Sequence, residues 1–79
     1  MTEATAITLD LKGLKCPLPA LKTRKALLGL APGALLRVEC TDPLARLDIP
    51  NLARETGDAL ESAEVEGAVL VFVLRRRGA

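Results

Sequence analysis

The chain has no histidine, no tryptophan and no tyrosine, and Phe72 is its only aromatic residue among 79. The missing imidazole excludes the hydrolase arrangements that pair a cysteine with a histidine base. Two cysteines without histidine cannot close a structural zinc site within one chain, so no metal and no cofactor is expected. One aromatic ring leaves almost nothing on which bases could stack. A formal net charge of +1 supplies no global field for a polyanion. A direct nucleic-acid partner is therefore not expected. No apolar run approaches the roughly 20 residues of a membrane span, and direct membrane contact is not expected either. The opening Met1-Thr2-Glu3-Ala4-Thr5 has no basic n-region and leads into no long apolar stretch. The expected address is cytoplasmic, with reduced thiols.

What the chain does have is aliphatic. Hydrophobic residues make up 49% of it, enough for one compact core of Leu, Val, Ile and Ala. A chain of this size buries roughly 60% of its unfolded surface. The reading is a single domain over 1–79, with 1–5 and 76–79 flexible. Ile7, Leu9 and Leu11 alternate within 6–11 and predict a half-buried strand. Lys12 to Lys15 forms a turn. A helix is predicted from Pro17 to about Ala31, with Ala20, Leu21, Leu27, Leu28 and Ala31 along one side, ended by Pro32-Gly33. Leu36, Val38 and Cys40 share one face of a second strand over 34–40. Thr41-Asp42-Pro43 turns the chain, and a second helix is predicted from Pro50 to Gly57. Residues 60–66 alternate weakly, as an edge strand does. Ala68 to Leu74 is the strongest strand signal.

The order β-α-β-α-β-β predicts an α/β two-layer sandwich. Its four-stranded mixed sheet carries two helices on one face, with a parallel crossover first and a hairpin last. In such a fold one face of the last strand should meet water, yet Val69, Val71 and Val73 make that face apolar. Either the sheet covers them or a partner does. Weak self-association through these valines is one expectation.

Cys16 lies in Gly13-Leu14-Lys15-Cys16-Pro17-Leu18-Pro19, where the first strand pattern passes into the first helix pattern. A cysteine just ahead of a helix faces free N–H groups and the positive end of the helix dipole, which favour the thiolate. Pro17 suits the first helical position and Pro19 the same first turn, so both stiffen the turn that presents the sulfur. The thiol of Cys16 is expected to titrate below the free value of about 8.5. Lys12, Lys15 and Lys22 are candidates for a basic rim that steers a docking partner. Cys40 reads as a packed core cysteine. If the first two strands are parallel, however, it ends at the same sheet edge as Cys16, which leaves a resolving role open. Arg24 interrupts the apolar stripe and is expected to cover the core edge or to pair with Asp42 or Asp48. Arg75 to Arg77 reads as a frayed, solvated tail.

These residues resemble the TusA/SirA-like sulfur carriers, also called the YedF/YhhP group. The resemblance rests on Leu9-Asp10, the Cys-Pro-x-Pro run from Gly13 to Pro19, Pro32-Gly33, Asp42-Pro43, Asp48-Ile49-Pro50 and Gly57, in register over nearly the whole chain. It implies the same β-α-β-α-β-β sandwich, similar to the C-terminal domain of a bacterial translation initiation factor. It implies that Cys16 carries a persulfide, with Pro17, Pro19 and Gly13 as supporting motif residues. It also implies partners: a sulfur-donor enzyme, such as a cysteine desulfurase or a rhodanese, and a sulfur-acceptor protein. The routes served in the family include tRNA thiolation, cofactor biosynthesis and sulfur metabolism. The resulting expectation is a sulfurtransferase in the relay sense, a persulfide carrier rather than a stand-alone catalyst. Two alternatives remain at this point: a thiol–disulfide switch using Cys16 and Cys40, and a non-catalytic regulatory module.

Overall fold

The structure, a computed structural model, describes residues 6–78. The flexibility expected of 1–5 lies outside that range, as does Ala79. The elements are β1 (Ala6–Leu11), α1 (Leu18–Leu28), β2 (Leu35–Cys40), α2 (Ala45–Thr56), β3 (Ala59–Glu66) and β4 (Val69–Arg75). The sheet order is β1-β2-β4-β3. β1 and β2 are parallel, whereas β4 runs antiparallel to both β2 and β3. This is the expected mixed sheet. Strand periodicity sends Leu36, Val38 and Cys40 of β2, and Leu70, Phe72 and Leu74 of β4, to one face. There they form a single core with Leu11, with Leu27 of α1 and with Ala45, Ile49 and Ala53 of α2. Gly67, at a φ of +63°, supplies the left-handed residue that the β3–β4 hairpin needs.

On the other face of β4 the sheet covers Val71, while Val69 and Val73 stay partly exposed. β4 lies between β2 and β3, and Val71 is only 3% exposed. Arg37 stands opposite Val73, and Glu66 stands opposite Val69. The ion pair joining Arg37 to Glu66, at 3.7 Å, therefore runs diagonally over Val71. Arg37 also pairs with Glu39 at 3.2 Å, and Glu39 with Lys12 at 2.9 Å. The aliphatic stems of these side chains cover the apolar strand while their charges stay in water.

Three sequence expectations are corrected. First, α1 begins at Leu18, with Pro17 as its N-cap, and ends at Leu28 rather than near Ala31. Its buried face is Pro19, Thr23 and Leu27, spaced four residues apart, whereas Leu21 and Leu28 are exposed. The polar Thr23 hides that stripe from a hydrophobicity reading. Second, α2 begins at Ala45, not at Pro50. Ala45, Ile49, Leu52 and Ala53 make one continuous buried stripe. Carrying it through Pro50 costs one backbone hydrogen bond, to the Arg46 carbonyl. The left-handed cap at Gly57 ends α2 where the sequence placed it.

Third, the arginines after β4 are held rather than frayed. The Arg76 N–H donates to the Ala34 carbonyl at 2.8 Å, and the Gly33 N–H to the Arg76 carbonyl at 2.9 Å. The buried carboxylate of Asp58 accepts from the Thr56 hydroxyl at 2.6 Å and from the Arg77 N–H at 2.8 Å, and it pairs with Arg76 at 3.3 Å. Arg75 donates to the Gly33 carbonyl at 3.0 Å and pairs with Glu61 at 3.1 Å.

Two outcomes follow from this packing. The Thr23 hydroxyl is fully buried with no hydrogen-bond partner among the described residues, so Thr23→Val is expected to stabilise the fold by about 1 kcal/mol. A thermal melt should show the midpoint rising by roughly 4–8 °C. Burial alone would raise the Asp58 pKa, but the bonds from Thr56 and Arg77 and the charge of Arg76 outweigh it and hold it below the ordinary value. A carboxylate lowered in the fold stabilises at pH above its unfolded value and loses that contribution as pH falls through the folded one. Thermal midpoints should therefore drop below about pH 4 in the parent chain. They should start lower and fall less steeply in Asp58→Asn.

Candidate functional site

The parallel pairing of β1 and β2 places Leu11 beside Cys40. The two loops that leave these residues therefore emerge side by side at one edge of the sheet. They are joined by hydrogen bonds. Gly13, left-handed at a φ of +86°, donates its N–H to the Thr41 hydroxyl at 2.9 Å. The Cys16 N–H donates to Asp42 Oδ2 at 2.6 Å, while Asp42 Oδ1 accepts the Leu44 N–H at 3.1 Å. The Asp42 carboxylate thus bridges the cysteine turn and the start of α2. These two N–H groups, that of Cys16 foremost, hold its pKa below the usual carboxylate range.

Cys16 is exposed, and its thiol donates to Asp48 Oδ2 at 3.1 Å. Asp48 sits in the first turn of α2 and reaches the sulfur across the groove between the helices. This contact reverses the expected titration. The Asp48 hydrogen bond, then desolvation and the charges of Asp48 and Asp42, push the Cys16 thiol above its ordinary value. The expected cradle of helix N–H groups is depleted by the motif itself. Pro17 at the N-cap and Pro19 in the first turn have no N–H, and the Leu18 N–H is bonded to the Lys15 carbonyl at 2.8 Å. What faces the sulfur most closely is carboxylate.

The residues singled out in the sequence fall in different places. Cys16 and Pro17 line the groove between α1 and α2 together with Leu21, Arg24, Asp48 and Glu55. Pro19 is buried beneath them. Lys15 is exposed beside the cysteine. Lys12 instead belongs to the ion pairs of the open sheet face, where Glu39 and Asp10 hold it at 2.9 and 3.1 Å. Lys22 lines a separate hollow with Leu9 and Lys25. The cation that the structure brings to the cysteine groove is Arg24. Arg24 makes no ion pair among the described residues, so of its two expected roles the pairing with Asp42 or Asp48 is not found. Those carboxylates are engaged by the N–H groups of Cys16 and Leu44 and by the Cys16 thiol. Cys40 is fully buried, and burial, with the Asp42 charge second, pushes its thiol up to about 11. Sequence reading missed Asp42 and Asp48 as site residues, although both stand in the Asp-Pro and Asp-Ile-Pro motifs that carry the resemblance.

A family profile described as Sulfurtransferase TusA matches residues 7–76. The chain belongs to this family. It is 37% identical over 68 residues to the sulfur carrier protein TusA of Allochromatium vinosum, covering 86% of this chain and 90% of that protein. It is 40% identical over 78 residues to the putative sulfur carrier protein YrkF of Bacillus subtilis, covering 99% of this chain but only 42% of that protein. A SirA-like protein from Desulfitobacterium hafniense has the same fold in its crystal structure, with a TM-score of 0.76 and 27% identity over 92% of this chain and 99% of that one. The family resemblance read from the cysteine motif is therefore upheld, and with it the fold.

The rate of alkylation against pH checks the electrostatics of the site. Cys16 should show a midpoint above the free-thiol value of about 8.5, and Asp48→Asn should lower that midpoint. Cys40 should stay unmodified in the folded protein and react only under denaturing conditions.

Proposed function

We propose that Cys16 accepts a sulfur atom as a persulfide from a donor enzyme and passes it on to an acceptor protein. The observation that carries this reading is the contrast between the two thiols: Cys16 is exposed at a clamped loop edge, and Cys40 is fully buried. In the loading step the sulfur of Cys16 attacks the outer sulfur of the donor persulfide. An S–S bond forms at Cys16, the donor S–S bond breaks, and the donor leaves as a thiol. The Cys16 proton goes to the departing donor, so the exchange needs no outside oxidant. The donor class is a cysteine desulfurase or a rhodanese. The acceptor belongs to tRNA thiolation, cofactor biosynthesis or sulfur metabolism, and the exchange takes place in the cytoplasm. Docking must bring a partner against the loop edge, where Lys15 and Arg24 are accessible cations and Leu18, Leu21, Leu44 and Leu47 are exposed apolar residues. A disulfide switch would need a Cys40 thiol open to attack, and its burial works against that alternative.

Intact mass spectrometry after incubation with a desulfurase and cysteine tests the reading. One added sulfur atom should map to the Cys16 peptide. It should be lost in Cys16→Ser and kept in Cys40→Ala. Lys15→Glu should slow transfer from a donor severalfold at low salt, mainly through association. The penalty should shrink as salt rises, because exposed charges are screened over about 10 Å at 0.1 M.

A further inference from the structure

The site is built for a protonated sulfur. We infer that Asp48 biases Cys16 toward its unloaded form, so that the carrier gives up sulfur more readily than a free thiol would. The inference rests on the proposed persulfide at Cys16 and concerns how firmly that persulfide is held.

The bond between Cys16 Sγ and Asp48 Oδ2, 3.1 Å long, has a carboxylate as acceptor. Only sulfur that carries a proton can donate to it. The unloaded thiol satisfies this requirement. A persulfide does not, because its outer sulfur is more acidic than a thiol and is anionic at neutral pH. Its inner sulfur, bonded to carbon and to the second sulfur, has no hydrogen at all. Loading therefore deletes the hydrogen bond and places an anion next to Asp48. Asp42 adds a second negative charge from the α2 side. The cations in reach are Lys15 and Arg24. The first is exposed beside the cysteine, and the second lines the same groove from α1, with Glu55 lining it from α2. The first turn of α1 has given up N–H donors to Pro17 and Pro19, which leaves less to offset the carboxylates. The direction in which the free thiol titrates, upward, agrees with this balance of charges.

In the unloading step an acceptor thiol loses its proton and attacks the outer sulfur. The S–S bond at Cys16 breaks, with its electron pair left on the Cys16 sulfur. A new S–S bond forms on the acceptor. Cys16 takes up the proton and restores the bond to Asp48. Atoms and charge balance: an anionic persulfide and a neutral thiol give a neutral thiol and an anionic persulfide. Asp48 enters as a positioning residue that favours the discharged side.

The test is an equilibrium. The full chain is held without oxygen at neutral pH in glutathione persulfide with excess glutathione, and intact mass spectrometry reads the ratio of loaded to unloaded protein. At a fixed ratio of the two glutathione species, Asp48→Asn and Asp48→Ala should each raise the loaded ratio about three- to tenfold over the parent, the scale of one charge-assisted hydrogen bond at an exposed site. Thermal melts confirm that the variants are folded, and the Ala variant removes any bond that the Asn amide might give to the persulfide. Loaded ratios equal to or below the parent in both folded variants would overturn the role of Asp48 while leaving Cys16 as the carrier. No added sulfur on the parent after incubation with a cysteine desulfurase and cysteine, without excess glutathione, would instead overturn the carrier reading itself.

Discussion

Everything at the sulfur edge depends on one carboxylate with two donors. Asp42 accepts the Cys16 N–H through one oxygen and the Leu44 N–H through the other. The first bond fixes the loop that precedes α1, and the second fixes the loop that precedes α2. Without it the cysteine turn would be tied to β2 mainly by the Gly13–Thr41 bond. With it, the approach of α2 is set relative to the cysteine, and Asp48 in its first turn arrives within hydrogen-bond distance of the sulfur. Asp42 thus positions the thiol, and Asp48 foremost sets its electrostatics, which is why two aspartates distant in sequence belong to the site.

The cysteine motif also shows how two demands are met by one pair of prolines. A turn that projects a sulfur has to be rigid, and Pro17 and Pro19 make it so by restricting φ. The same residues remove backbone donors that would have stabilised a thiolate at a helix start. Rigidity is gained and anion stabilisation is given up. The result is a thiol that stays protonated when free and is exposed to whatever docks on it.

The element order, the hairpin and the family were legible because they rest on alternation, on Gly67 and on a motif in fixed register. The face of α1 was not, because Thr23 at its centre is polar and Leu21 and Leu28 at its margin are apolar. A pattern of hydrophobicity then points to the wrong side of the helix. Pro50 misled in a similar way. A proline usually marks a helix start, and here it lies within a helix whose buried stripe begins at Ala45. The titration of Cys16 could not be read from neighbours in sequence, because its controlling groups are 26 and 32 residues away. Lys12 and Lys22 looked like neighbours of the sulfur in sequence, but strand direction and helix phase send them to other surfaces.

The held chain end after β4 has a consequence for architecture. Ala6, at the start of β1, pairs with Leu35, and Leu35 pairs in turn with Arg75 at the end of β4. Both described ends of the polypeptide are therefore gathered at one pole of the sheet, while Leu11, Cys40 and the cysteine loop occupy the other. The bonds from Asp58 to Arg76 and Arg77 fix the exit direction on that pole. The first residue of β1 and the last of β4 therefore lie about 17–20 Å, the length of a strand of this size, from the sulfur edge. The reactive atom stands at the pole opposite the one where the described chain enters and leaves the sheet.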